Sequence, residues 1–140
     1  MALKTYNAKK VAVICGSFNL SGFNDGDFVS VEYNEDAWTL QKGADGESAR
    51  SKSNNYSAKI KVTCMQTSSA NQILQDFFNS DKLSDAGVFP FTVKDNSGKS
   101  LHFAQQAWVM KQPVAALGKA PGTREWTIET DEMTSNEGGN

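Results

Sequence analysis

The residue types that most often carry out chemistry in proteins are scarce in this chain and lie far apart. The 140 residues include one histidine, His102, and two cysteines, Cys15 and Cys64. No nucleophile, base and orienting group cluster in sequence around His102, so its expected role is structural. The cysteines are 49 positions apart, without the short spacing and neighbouring ligands of a zinc site. We expect two buried free thiols, and no metal or cofactor.

Acidic and glycine-rich segments offer three further candidates. Asp25-Gly26-Asp27 resembles a fragment of a calcium loop, but the closing Glu and remaining ligands are missing, so a turn is expected. The segment 43–47 lacks the Gly-Lys-Ser/Thr ending of a phosphate loop, and its two carboxylates would repel phosphate. Glu125, Glu129 and Asp131 are expected to form a solvated strand face. A glycosidase-type pair among them stays open, as does an enzyme whose site forms only in space.

Charge and hydropathy argue against two broad classes of protein. The net charge is −2 and the sequence pI is about 5.4, which does not fit a chain that grips nucleic acid through a basic face. No apolar run approaches the ~20 residues that span a bilayer. The N-terminus lacks the apolar core and cleavage site of a signal peptide. We expect synthesis in the cytoplasm and no membrane insertion by this chain.

Alternating apolar and polar residues predict seven strands. They lie at residues 11–16, 27–33, 37–42, 56–64, 89–94, 100–111 and 124–132. In the fourth strand, Lys59 and Lys61 lie on one face, and Ile60 and the other apolar residues of the strand lie on the opposite face. The segment 43–55 contains no large apolar side chain. It is expected to form the polar, extended tip of a long hairpin whose arms are the third and fourth strands.

One helix is predicted where the period changes. Ser68 or Ser69 can cap a helix that begins near Ala70 and ends within residues 80–83. Four apolar residues at positions i, i+1, i+4 and i+5 form a stripe that we expect to pack on the sheet. These structural helix residues are Ile73, Leu74, Phe77 and Phe78.

These elements predict a mainly β fold. We expect a sandwich or distorted barrel of about seven strands with one packed helix and a long projecting hairpin loop. Residues 1–133 are predicted to form one domain, followed by a flexible tail at 134–140. In a monomer, ordering the projecting tip would cost conformational entropy without any packing to offset it. The edge strands of the sheet would also be left unpaired. A closed ring of identical copies would cover both.

At this point the residues resemble a known family. The features that carry the resemblance are the 43–47 tip, Ala49-Arg50-Ser51, the strand 58–63, the helix start at 66–71, Phe89-Pro90-Phe91 and the strand 124–128. Over roughly residues 10–132 the chain is similar to the tail tube proteins of contractile-tailed bacteriophages. It is also similar to the tube proteins of type VI secretion and of R-type bacteriocins.

The resemblance implies a structural, non-enzymatic subunit of the virion tail. Family members form hexameric rings that stack into a tube, with a sheath protein outside and a tape-measure protein, later genomic DNA, in the channel. The helix is expected on the outer side. The hairpin tip would contact the next ring, through Asp45, Gly46, Glu47, Arg50, Ser51 and Lys52, and would be disordered in isolated subunits. A type VI or bacteriocin-like device, and a decoration or binding module, remain alternatives.

A passage for DNA should not hold DNA, because neutralising phosphates releases counterions and tightens binding. Polar and acidic side chains would therefore suit the channel. We expect the lumen to be lined by Glu125, Thr127, Glu129 and Asp131, or by Lys59 and Lys61, with the acidic set favoured and the lysines paired with carboxylates of a neighbouring strand. The alternative is that both faces are simply exposed to solvent or are buried against another subunit.

Overall fold

The computed structural model describes residues 3–139, in which ten strands and one α-helix follow a short 3₁₀ turn, Ala8–Lys10. In chain order the elements are β1 (Val11–Cys15), β2 (Phe18–Asn19), β3 (Val29–Tyr33), β4 (Trp38–Lys42), β5 (Ser48–Lys52), β6 (Ala58–Met65), α1 (Ala70–Ser84), β7 (Phe89–Asp95), β8 (Leu101–Lys111), β9 (Thr123–Thr130) and β10 (Met133–Asn136).

Eight of the strands form one antiparallel sheet. Its order is β2-β1-β7-β8-β9-β6-β3, and β10 pairs with β8 beside β9. The segment between β2 and β3 joins the two halves of this sheet. Leu20 N donates to Val13 O on β1 at 2.8 Å, and Met65 N on β6 donates to Gly22 O at 2.8 Å. The sheet therefore curls towards a barrel, and the mainly β fold with one packed helix is confirmed.

The core lies on one face of this curled sheet. The residues of β6 are alternately buried and exposed, with Ile60 and Val62 fully buried and Lys59 and Lys61 exposed. The other buried side chains that fill the core include Val13, Cys15, Phe89, Phe91, Ala104, Ala107, Val109, Trp126 and Ile128. Because period-2 alternation fixes which side chains share a face, the polar residues of β6 and β9 must lie together on the opposite face.

The helix packs on the apolar face. At the start of the helix, Ser68 Oγ accepts a hydrogen bond from Ala70 N with a length of 3.1 Å. Leu74 is fully buried, whereas Ile73, Phe77 and Phe78 are half-buried against the core. The rings of Phe77 and Phe89 lie 4.5 Å apart between centroids. The predicted helix and its apolar stripe are therefore found, although only Leu74 is fully enclosed.

Two predicted features need correction. Segment 43–55 is not simply an extended tip, because β5 lies within it and pairs with β4; β6 pairs with β3 and β9 instead. The predicted flexible tail begins with a strand, since β10 pairs with residues 101–104 of β8. The structure thus has ten strands and not seven; residues 1, 2 and 140 lie outside the described part.

A bulge in β8 lets its long strand serve two neighbours. Phe91 pairs with Ala104 and Phe89 with Ala107, so β8 contains one extra residue at Gln105–Gln106. Both glutamines are exposed, and the buried positions shift phase from Ala104 to Ala107. Asp131 N donates to Gln106 O at 3.1 Å, where β9 gives way to β10. The bulge therefore lies where one partner strand replaces another.

Leu74 and Leu83 offer a matched test of how much the buried stripe stabilises the fold. Leu74 is fully buried, and Leu83 of the same helix is 86% exposed. We expect Leu74→Ala to lower the free energy of unfolding by about 2–5 kcal/mol, because it removes packed methyl groups and leaves a cavity. Leu83→Ala should change it by less than about 0.5 kcal/mol. Urea denaturation of both variants measures the difference; equal effects would place the stripe outside the core.

The two buried thiols give a pH test of the core. Burial raises the pKa of the Cys15 thiol to about 12. Burial also raises the pKa of Cys64, with Arg124 opposing the rise. Above the pKa of an unfolded thiol, near 8.5, the unfolded chain releases protons that the native chain retains, so stability falls with rising pH. For Cys15 the expected loss between pH 8 and pH 10 is about 2 kcal/mol.

Urea denaturation at both pH values measures this loss, and Cys15→Ala serves as the control because it removes the Cys15 contribution. A thiol reagent at pH 8 should modify the cysteines only after denaturation. Rapid modification of the native protein would contradict their burial.

Candidate functional site

The β4–β5 hairpin is a regular ladder that stands apart from the main sheet. Its register runs from Trp38 opposite Lys52 to Lys42 opposite Ser48. At its base, Ser53 N donates to Ala37 O at 2.8 Å. All residues from 32 to 52 are exposed, so the hairpin projects from the subunit without packing on it.

The tip of this hairpin is a closed turn. Gly43 N donates to Glu47 O at 2.8 Å, and Gly46 N donates to Gly43 O at 3.0 Å. The Asp45 carboxylate accepts from Glu47 N at 3.2 Å. Gly46 has a φ of 89°, a conformation that side-chain-bearing residues rarely adopt. Three of the predicted contact residues, Asp45, Gly46 and Glu47, therefore form the turn itself.

The two faces of the hairpin differ in chemistry. Because Leu40 pairs with Arg50 and Trp38 with Lys52, these four side chains share one face. The Arg50 guanidinium carbon lies 3.8 Å from the Trp38 ring centroid, a cation–π contact. The opposite face holds small and polar residues, which are Thr39, Gln41, Ala49 and Ser51. Ser51 is one of the predicted contact residues.

Sequence reasoning identified Arg50 and Lys52 as contact residues but missed Trp38 and Leu40. Trp38 is 46% exposed and Leu40 is 64% exposed. Trp38 and Leu40 are two residues apart in a strand, so they share one face of it. This apolar spacing was the signal in the sequence that could have identified them.

A second surface is the polar face of the sheet, opposite the core. In the register, Lys59 is paired with Glu129 on β9 and with Glu32 on β3. Lys61 is likewise paired with Thr127 and with Ser30. The two predicted channel faces are thus adjacent strands of a single surface, in which lysines alternate with carboxylates and hydroxyls.

This polar face also contains Glu125, opposite Thr63 at the far end of β9. Asp131 lies just beyond the last residue of β9, outside the strand. Glu125 and Glu129 are four strand residues apart, which separates their Cα atoms by about 13 Å. Glycosidase carboxyl groups lie about 5–10 Å apart, so the spacing favours a solvated face. A cavity of about 430 Å³ beside Lys59 and Lys61 is polar and open.

His102 holds the C-terminal segment. Its Nδ1 lies 2.7 Å from Ser135 Oγ, and its Nε2 lies 2.8 Å from Glu137 Oε1. The Tyr33 hydroxyl donates to Met133 O at 3.1 Å. The histidine therefore joins β8 to β10 and the residues after it, which is a structural arrangement. In residues 3–139, no three His, Cys, Asp or Glu side chains are placed to hold a metal ion, and no described helix is long and apolar enough to cross a membrane.

Comparison with known proteins gives one family and one close relative. The family described as Bacteriophage PhiTE tail tube protein matches residues 4–138. Structural protein ORF10 of Pseudomonas phage KPP10 is 33% identical over 144 residues, which cover 97% of this chain and 83% of the relative.

Solved structures share the fold at low sequence identity. The cap that terminates the tube of the anti-feeding prophage has a TM-score of 0.65 at 9% identity, over 97% of this chain and 93% of that one. The sheath/tube terminator of the extracellular contractile injection system PVC has a TM-score of 0.66 at 14% identity, over 97% of this chain and 99% of that one. The sheath–tube complex of the same system has a TM-score of 0.64 at 15% identity, over 94% of this chain and 91% of that one.

These structures support the fold, and the two sequence matches decide the family. Since the family match spans residues 4–138 and the phage relative is 33% identical along nearly the whole chain, this chain belongs to the phage tail tube protein family, a structural component of the virion tail.

Proposed function

We propose that this chain is the repeating subunit of a phage tail tube, in which hexameric rings stack head to tail around a channel that delivers DNA into the host cell. The observation that carries the proposal is the β4–β5 hairpin, a complete five-residue ladder whose residues are all exposed. An isolated two-stranded hairpin is marginally stable in water. A neighbouring copy that covers the hairpin would supply the missing packing.

The open edges of the sheet support assembly in the same way. The strands β2 and β3 lie at the two ends of the strand order, and unpaired strand edges tend to associate with other strands. In a closed ring each copy would cover an edge of the next, since a head-to-tail contact repeats around the axis.

The polar face is the surface best suited to the channel. Lys59 stands opposite Glu32 and Glu129 in register, so its charge would be offset by theirs, and Lys61 stands opposite the hydroxyls of Ser30 and Thr127. With this face inward, α1 would lie on the outer side, because it packs against the opposite face of the sheet. A sheath protein would then contact the outside, while a tape-measure protein and later DNA would occupy the lumen.

A tube terminator is the second candidate, favoured by one observation. The cap and the terminator among the solved structures are as similar to this chain as the tube complex, with TM-scores of 0.65, 0.66 and 0.64. A terminator would form single rings that do not stack.

A tube of a type VI or bacteriocin-like device would polymerise as a phage tube does, and would differ in the device to which the tube belongs.

Cryo-electron microscopy of the purified protein at increasing concentration tests the proposal. We expect rings at low concentration and long stacked tubes at high concentration. Single rings that never stack would favour the terminator, and a monomer at every concentration would contradict both.

Replacing the hairpin tests its role in stacking. Because Ser53 N and Ala37 O lie 2.8 Å apart at its base, a short Gly-Ser linker can replace residues 38–52 without disturbing the core. We expect a folded variant, with a melting temperature near that of the natural chain, that no longer forms tubes. A variant in which Asp45 and Glu47 alone are changed to Ser is the control for the charge of the tip. Normal tubes from the linker variant would exclude the hairpin as the contact between rings.

Reversing charge on the polar face tests the channel assignment. Glu125→Lys with Glu129→Lys would add cationic groups to each copy, and these would attract DNA phosphates most strongly at low salt. We expect tubes to assemble but genome ejection to slow, with the delay decreasing as salt is raised. The matched control is Glu125→Gln with Glu129→Gln, which removes charge without reversing it. Ejection at the natural rate in low salt would remove both residues from the channel.

A further inference from the structure

The N-terminal segment that precedes β1 is exposed along its described length. Residues 3–10 are all exposed, and the side chain of Tyr6 is 60% exposed. Within residues 3–139, Lys4 makes no ion pair. Tyrosine is among the residues that most often anchor contacts between proteins. Residues 3–7, which we call the arm, therefore present an aromatic ring and a nearby cation to a partner.

A short turn fixes the backbone between the arm and β1. The Asn7 side-chain oxygen accepts from Lys9 N at 3.0 Å, and the Asn7 carbonyl accepts from Lys10 N at 2.9 Å. Asn7 is itself extended, with a φ of −133° and a ψ of 113°. With this junction held, the side chains of the arm remain exposed on their own subunit.

A groove of about 480 Å³ lies beside the segment that joins β2 to β3. The rings of Phe23 and Phe28 stack in it with centroids 4.8 Å apart, and both are only half-buried. Together with them, Val11 and Leu20 form its apolar lining. The groove therefore offers an aromatic surface that a further ring can extend.

Main-chain hydrogen bonds hold this groove in shape. Asn24 N donates to Thr63 O at 3.2 Å, and Thr63 N donates to Phe28 O at 2.8 Å. The segment that carries both rings is thus tied to β6 on either side of them. A site that is formed before its ligand arrives costs less entropy on binding.

The groove also carries an acidic wall. Asp25 lines it and Asp27 follows two residues later, both exposed. In the part of the chain that the structure describes, neither carboxylate makes an ion pair. Lys9 lines the groove as well, but it comes just before β1, whereas Asp25 comes before β3, so the two charges belong to different walls. A fitting ligand has an aromatic ring for the stacked phenylalanines and a cation for the wall at Asp25.

We propose that the arm of one copy binds in this groove of a neighbouring copy. Residues two apart share a face of an extended chain, so Lys4 and Tyr6 enter together. Tyr6 packs on the rings of Phe23 and Phe28, and Lys4 pairs with Asp25. A second copy is the fitting occupant because every copy has one exposed arm and one such groove, and a repeating head-to-tail contact fills both. This rests on self-assembly in the proposed function, and does not depend on which surface lines the channel or joins the rings.

Photo-crosslinking in the assembled protein tests which groove the arm enters. Chains with benzoylphenylalanine at position 6 are prepared with natural nitrogen and with ¹⁵N, mixed before assembly and irradiated. We expect cross-links to residues 20–28, with about half of the linked peptide pairs joining a labelled to an unlabelled chain. The same probe at position 3, on the other face of an extended arm, is the control and should give few such links. Links confined to single chains, which place the arm in its own groove, or links to other segments would overturn the proposal.

Exchanging charges tests the pairing of Lys4 with Asp25. Lys4→Asp and Asp25→Lys should each raise the critical concentration for assembly about threefold to tenfold, because an attraction becomes a repulsion. The double variant restores the pair in reverse and should return to within about twofold of the natural chain. Lys119→Asp, at an exposed position outside the arm and the groove, controls for the change in net charge and should assemble normally. Failure of the double variant to recover would contradict the pairing.

Two substitutions of Tyr6 test the packing of its ring. Tyr6→Ser should raise the critical concentration about tenfold or more, whereas Tyr6→Phe keeps the ring and should assemble as the natural chain does. Melting temperatures of the subunit should not change, since this side chain is exposed. If natural chains assemble but Tyr6→Ser and the single charge variants assemble equally well, the arm contact is overturned and the proposed function stands. Natural chains that stay monomeric at every concentration overturn both.

Discussion

A slip of one residue between β6 and β9 would turn the buried side chains of the slipped strand to the solvent face of the sheet. The register is therefore the constraint on which the rest of the structure depends. It is fixed at one end by Thr130, a buried polar residue whose hydroxyl accepts from Ala58 N at 3.1 Å. Near the other end, the Trp126 indole donates to Asn71 on the helix at 2.9 Å. The pairing of Ile60 with Ile128 between them places two fully buried side chains in the core.

The same register gives the subunit its polarity. With β6 and β9 locked, the hairpin leaves from one end of the pair and the 112–122 loop from the other. Lys59 and Lys61 are also held beside Glu129 and Thr127 on the polar face. A single strand pair thus positions the core, the candidate channel face and the two ends at which copies would meet. Because these surfaces are chemically different, a head-to-tail assembly would extend in one direction.

Much of the fold could be predicted from the sequence, since burial on one face leaves a readable alternation. The strand at β6, the polar and apolar faces of β9, and the helix with its Leu74 stripe all follow from that pattern. The strand β5 could not be found in this way, because both of its faces are exposed and no apolar period exists. Its pairing with β4 depends on the turn at Gly46, a local feature of backbone conformation.

Other features depended on contacts that are distant in sequence. The phase shift in β8 arises from the extra residue at Gln105–Gln106, whose side chains carry no signal of a bulge. The strand β10 has a polar composition but is held by β8 and by the Tyr33 hydroxyl, 100 residues away. The candidate site was predicted in part: the tip and its charged residues were identified, but the apolar side of the hairpin was not. Exposed apolar residues carry no period, and their significance is visible only once their positions in the fold are known.

The exposed hairpin also links folding to assembly in energetic terms. In the subunit its order depends on five residue pairs, the Gly46 turn and the stacking of Arg50 on Trp38. None of these contacts buries much apolar surface, so the ordered hairpin is worth little free energy before a partner covers it. In the proposed tube, part of the free energy gained when a neighbouring copy covers the hairpin would offset the entropy of ordering it. A hairpin that a neighbouring copy covers would therefore be more rigid than the hairpin of a free subunit.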